Sequence, residues 1–173
     1  MALLRSSRIV PEHSIQDAFN KQAYLGNSFV LPIDVSSAGS TSEVPVAYIT
    51  NPLTSNITLF VNSRKYGADN SAFFRLYKGP TISSPGTPTA ALNLRTASPT
   101  TSASVDYVSP SISSNGTLLS VIVITGGYTI DSSTLIILDP GETLLVTIQS
   151  ASTDTNYALE LSWYELGVNT NLG

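Results

Sequence analysis

Leu138-Asp139-Pro140-Gly141-Glu142-Thr143-Leu144-Leu145-Val146-Thr147-Ile148-Gln149 decides the fold class. Leu144, Val146 and Ile148 fall on one side of an extended chain, opposite Thr143, Leu145, Thr147 and Gln149. A period of two with one apolar face describes a sheet strand laid over a core. Just before it, Pro140 fixes φ and Gly141 supplies a position where φ must be positive, the residue choice of a type II turn.

Working outward, Asn156 to Glu165 repeats the alternation. Tyr157, Leu159, Leu161 and Trp163 point one way, and Ala158, Glu160, Ser162 and Tyr164 the other. Asn56 to Val61 does so again, with Ile57, Leu59 and Val61 inward. Further strands are expected at Phe29–Val35, Val46–Thr50, Ala72–Tyr77, Val105–Val108, Leu118–Ile124 and Thr134–Leu138. Asn115-Gly116 is a tight-turn signal, and Gly79-Pro80 and Gly126-Gly127 are further breaks. Eight or nine short strands joined by turns make a sandwich or barrel, and a jelly roll of eight strands in two sheets suits the count. Pro32 and Pro45 cannot donate ladder hydrogen bonds, so they belong at an edge or a strand start. Pro80 to Ala103, rich in Pro, Ser, Thr and Ala, reads as a long loop or loose edge strand, with Ala91, Leu92 and Leu94 as a short tether. Ser36 to Ser42 reads as a second flexible connection.

The N-terminal part differs in texture. Ser14 can cap a helix, and Ile15, Ala18, Phe19, Gln22 and Ala23 follow a 3–4 spacing between Pro11 and Gly26. A two-turn amphipathic helix is marginal alone, so its apolar face needs a partner surface: the chain's own β domain or another subunit. The expected organisation is an arm over 1–27, an all-β, jelly-roll-like sandwich over 28–168, and a tail over 169–173.

The chain has 173 residues, of which 42% are hydrophobic and only 12% charged, with a net charge of −4. About a quarter charged is usual, so little repulsion keeps this surface from packing against a neighbour. The eight basic residues are scattered, and Arg64-Lys65, their only adjacent pair, reads as a solvated loop. That argues against a nucleic-acid partner, which needs clustered cations. With no cysteine, disulfides and thiolate metal sites are excluded. Neither a signal-peptide core nor a membrane-length apolar run is visible, which predicts a soluble protein made in the cytosol, with no membrane partner.

Few residues carry chemistry. His13, the only histidine, lies in the arm, a poor scaffold for a triad or a metal. Asp139 and Glu142 flank a turn, and no calcium-loop or phosphate-loop spacing occurs near Asp131, Asp139 or Asp154. A glycosidase would need two close carboxylates in a cleft, which sequence cannot show. The expectation is a non-enzyme with no cofactor and no metal. Trp163 is expected in the core. Tyr48, Tyr77, Tyr107 and Tyr128 read as core rims, and Tyr66 and Tyr164 are the better candidates for stacking on a glycan.

Three runs carry a family resemblance: Ser114-Asn115-Gly116-Thr117-Leu118-Leu119, Leu138 to Val146 with its Pro-Gly-Glu turn, and Leu159-Glu160-Leu161-Ser162-Trp163-Tyr164-Glu165. Over roughly residues 72 to 166 the chain resembles tailed-bacteriophage virion proteins with a jelly-roll domain. The resemblance implies a head decoration (cement) protein or a tail-associated adaptor or fibre, usually homotrimeric. Its implied place is the virion, assembled in the host cytoplasm, where it contacts the major capsid protein or other virion proteins. The matching motifs are architectural, so no functional residue carries over. Arg5, Arg8, Ile15, Phe19, Tyr24 and Leu25 of the arm are the expected partner-binding residues, since an arm that orders on docking can clasp neighbouring subunits. The alternative is a tail-associated module that binds a receptor or glycan.

Overall fold

The computed structural model describes residues 12–36, 38–95 and 102–167. Arg5, Arg8 and the 169–173 tail therefore lie outside the described residues. Among the described residues one helix, α1 (Glu12–Leu25), precedes fourteen strands. They are β1 (Ser28–Val35), β2 (Val44–Thr50), β3 (Ile57–Ala68), β4 (Ala72–Lys78), β5 (Thr81–Ser84), β6 (Thr87–Thr89) and β7 (Leu92–Asn93). There follow β8 (Val105–Val108), β9 (Ser111–Ser114), β10 (Thr117–Ile124), β11 (Tyr128–Ser132), β12 (Ile136–Leu138), β13 (Thr143–Ser150) and β14 (Tyr157–Gly167).

The strands form two large antiparallel sheets and one small one. Sheet A runs β11-β3-β14-β1-β7, with β12 also pairing β3; sheet B runs β10-β4-β13-β2-β8-β6; β5 and β9 pair by themselves. Successive principal strands alternate between the sheets, and the last strands lie between the first ones. β14 sits between β1 and β3, and β13 between β2 and β4. That is the double Greek key of a jelly roll.

The core lies between the two inner faces. Sheet A contributes Phe29, Leu31, Leu59, Val61, Tyr66, Leu159, Leu161 and Trp163, and sheet B contributes Ala47, Ile49, Phe74, Leu76, Ile124, Leu144, Val146 and Ile148. The alternation in β13 and β14 thus points inward as expected, and Trp163 is fully buried, stacked on Phe29 with ring centroids 6.2 Å apart. The Asp139–Glu142 turn forms as its residues dictate. Gly141 has φ 88°, and the Glu142 amide donates to the Asp139 carbonyl at 2.9 Å.

Both prolines sit where a missing donor costs nothing. β7 covers β1 only at Phe29 and Val30, leaving Pro32 on an open flank. Pro45 lies beside a bulge in the β2–β13 ladder and outside the reach of β8. Just ahead of β2, the Glu43 carboxylate accepts from the Tyr77 hydroxyl and the Thr147 hydroxyl, both at 2.7 Å. It also accepts from the Asn115 side-chain amide at 3.2 Å and pairs with Arg75 at 3.4 Å. One acid thereby fastens the entry of β2 to three other elements on the outer face of sheet B.

Four expectations are corrected. The helix begins at Glu12 and spans 14 residues, so Ser14 lies inside its first turn and does not cap it. The added length gives a face that packs against β1, β3 and β14 of its own chain. Arg64 and Lys65 lie within β3, not in a loop, because a bulge at Asn62 carries that strand on past Val61. The described part of the Pro80–Ala103 stretch is more than one loop or one edge strand: it forms β5, β6 and β7, each pairing with a different sheet, and of these β6 and β7 are the short edge strands expected there. Tyr66 and Tyr164 are both buried: the bulge turns Tyr66 into the core, and Tyr164 stacks on Phe60 outside it.

Leu161→Ala should lower the free energy of unfolding by about 2–5 kcal/mol, because Leu161 has no exposed surface and leaves a cavity. Leu53→Ala, at a side chain 77% exposed, should change it by no more than about 0.5 kcal/mol. Urea denaturation of the two variants checks the contrast.

Candidate assembly surface

A jelly roll of two open sheets has four edges, and this chain treats them unequally. Sheet A ends on one side at β7, only two residues long. On the same side sheet B ends at β6, three residues containing Pro88, which cannot donate. On the other side sheet A ends in β11 and β12, two short pieces separated by a break, with Asp131 in the first. Short strands, prolines and charges are the usual means of blunting an edge.

The fourth edge is β10, and it has none of these. Thr117-Leu118-Leu119-Ser120-Val121-Ile122-Val123-Ile124 is eight residues long, without charge or proline. Among the described residues it pairs on one side only, with β4. Its single irregularity is a bulge at Leu119, ahead of a regular run from Ser120 to Ile124.

Its side chains are apolar on both faces. Ile124 is buried in the core, with Ile122 packed against that core. On the outer face, Leu118, Val121 and Val123 are each exposed by more than two fifths. Phe73, the ladder partner of Val123, is exposed beside them, with the Arg75 guanidinium 5.4 Å from its ring centre. A strand apolar on both faces is one that needs cover on both. The fold covers one.

The residues expected to bind a partner are distributed differently. Ile15 lies in α1, with a side chain outside the described set. Phe19 is half-buried and lines a hollow on sheet A with Val30 and Asn62. Tyr24 and Leu25 are exposed at the C-terminal end of the helix, and the Arg95 guanidinium stands 5.6 Å from the Tyr24 ring centre. The apolar face of the helix is therefore met by the chain's own sheet A. Of the tyrosines proposed for stacking on sugar, Tyr66 packs on Phe74 in the core and Tyr164 lies parallel to Phe60 at 4.8 Å. Neither presents a free ring to a glycan.

Two carboxylates meet inside the sandwich. Asp106 pairs with Ile49 and Glu165 with Leu59, both inward-facing positions, so both acids point into the interior. The Glu165 carboxylate accepts from the Ser102 hydroxyl at 2.6 Å, the Ala103 amide at 2.9 Å and the Trp163 indole at 3.4 Å. Ser104 donates to Asp106 at 3.0 Å. Both acids thus hold the 102–104 segment against the sandwich. Burial pushes Asp106 up to about 6 and raises Glu165 as well, and the charge of Glu165 adds to the shift at Asp106. Among the described residues no group of three or more His, Asp or Glu side chains gathers into a metal-binding cluster. No described helix is long and apolar enough to cross a membrane.

The signal for β10 was present in the sequence as a strand with no polar face. What sequence could not supply is that β10 stands at the end of a sheet. No protein-family model matches the chain, and no curated protein matches its sequence.

A carboxyl raised on folding is stabilising only while protonated. Stability should fall as pH rises from the ordinary carboxylate range to about 6, and recover on acidification through the same window. For Asp106 the expected gain from pH 7 to pH 4 is about 2–3 kcal/mol before global acid effects. Asp106→Asn should flatten that part of the profile, as thermal unfolding at a series of pH values would show.

Proposed function

We propose that this chain is a structural subunit of a bacteriophage virion, working by assembly with copies of itself and with neighbouring virion proteins. The observation that carries the assembly reading is the β10 edge, a regular uncharged strand beside the exposed Phe73, Val121 and Val123. Edges of this kind are templates for pairing with another chain. The low charge of the whole molecule supports the same reading, because few ions must be desolvated when such surfaces meet. The virion setting rests on the resemblance of the three C-terminal runs, and the jelly-roll strand order is in keeping with it.

Geometry distinguishes two modes of self-assembly. Pairing β10 with its own copy about a two-fold axis closes at a dimer. A trimer, the state the resemblance implies, must use the outer face instead, with the Phe73–Val121–Val123 patch of one subunit meeting a different surface of the next. In either mode, contacts too weak to hold singly would add together on a symmetric lattice.

Light scattering should give a solution mass of two or three times 18.3 kDa. Val121→Lys combined with Val123→Lys should reduce that mass to one chain with little change in unfolding free energy, since both side chains point outward. A wild-type monomer at high concentration, with no binding to assembled capsids, would sink the reading.

A further inference from the structure

We propose that the hollow behind the open edge is a binding site for a short-chain carboxylate, with Arg64 as the group that receives it. The hollow has a volume of about 310 Å³ and lies where β10 meets the break between β11 and β12. Leu76, Leu119, Leu135 and Ile136 give it apolar walls, and Ser120 and Ser132 add hydroxyls.

Arg64 reaches this place because of the Asn62 bulge. It points inward from β3 and is only 2% exposed. Its guanidinium has five N–H donors. One nitrogen, Nη2, donates to the Ser132 hydroxyl at 2.8 Å. Nε and Nη1 are buried and make no hydrogen bond of full geometry, and the neutral Tyr66 hydroxyl is the acceptor within reach of the guanidinium. The Tyr66 hydroxyl, two residues along the strand, helps the cation, and Asp131 attracts it from a distance while itself accepting from Ser63. Among the described residues no carboxylate comes within ion-pair distance of Arg64.

A buried cation without a counter-ion is strongly unfavourable, and replacing it by an apolar residue generally stabilises a fold. A ligand that brings the missing anion removes the penalty. A guanidinium in the wall of the hollow suits a carboxylate oxygen, which makes a short charge-assisted contact with it. The surrounding leucines and isoleucine suit a tail of a few carbons, and they disfavour a heavily hydrated anion such as phosphate. The same chemistry is offered by a free organic acid and by an aspartate or glutamate side chain of a neighbouring copy. The inference stands on the burial of Arg64 and does not depend on the assembly reading.

The test is titration of the isotopically labelled full chain with sodium butyrate, followed by amide NMR, with butyramide and sodium chloride as matched controls. Butyrate should give saturable shifts confined to 119–121 and 132–136. Arg64→Gln should weaken that binding by at least about tenfold, the loss of one charge-assisted contact. If that variant does not fold, Ser120→Trp, which fills the hollow and leaves the guanidinium in place, should abolish the shifts. Binding that leaves the solution mass unchanged assigns the site to a free acid. Binding that dissociates the oligomer assigns it to a neighbour's acidic side chain. Shifts no larger than those from chloride, or shifts that survive both substitutions, overturn the proposal.

Discussion

Between the pairs Ser162–Ser63 and Trp163–Val61, the ladder joining β14 to β3 skips Asn62. The skip reverses the parity of β3. Before it, Leu59 and Val61 face the core; after it, Arg64, Tyr66 and Ala68 do. Unbroken alternation would instead send Ser63, Lys65 and Gly67 inward, and the second half of the strand would have no core to sit on. With the bulge, β3 runs for 12 residues, pairs with β14 along its length, and carries both β11 and β12 on its other flank. Lys65 is thereby turned outward to its ion pair with Glu160 at 2.9 Å. The hollow around Arg64 exists for the same reason.

The two sides of the sandwich differ in how they end. On one side the chain from Thr81 to Asn93 gives a short strand to each sheet in turn, and Asp106 and Glu165 fasten the nearby 102–104 segment. On the other side the Gly126-Gly127 connection joins the edge strands β10 and β11, and β10 is left as an apolar margin. Finishing devices are thus spent on one flank. The unfinished flank holds both the exposed apolar strip and the buried cation behind it.

Much of the fold was legible because β13 and β14 alternate cleanly and the Asp139-Pro140-Gly141 turn admits few conformations. The second half of β3 was hidden because its polar run, Asn62-Ser63-Arg64-Lys65, breaks the alternation at the bulge. The strands β5, β6, β7 and β9 were hidden because Ser, Thr and Pro carry little periodic signal, and their pairing is set by distant partners. Tyr66 and Tyr164 were misplaced for related reasons: the first follows the parity reversal, and the second is covered on an outer face. For the candidate surface, the residues Leu118 to Ile124 were recognised as a strand. Their position at the margin depends on strand order, which no local pattern encodes.

The strand order has a consequence for how the molecule comes into being. The centre of sheet A is β14 and the centre of sheet B is β13, the last two described strands to leave the ribosome. Until they emerge, β1 and β3 have no common neighbour, and neither do β2 and β4. Closing these sheets requires contacts across more than a hundred residues, as in Ser28 with Tyr164, which makes for slow folding. Synthesis and folding are therefore separated in time. Interrupted chains lack both keystones, and such fragments expose unpaired strands to proteolysis.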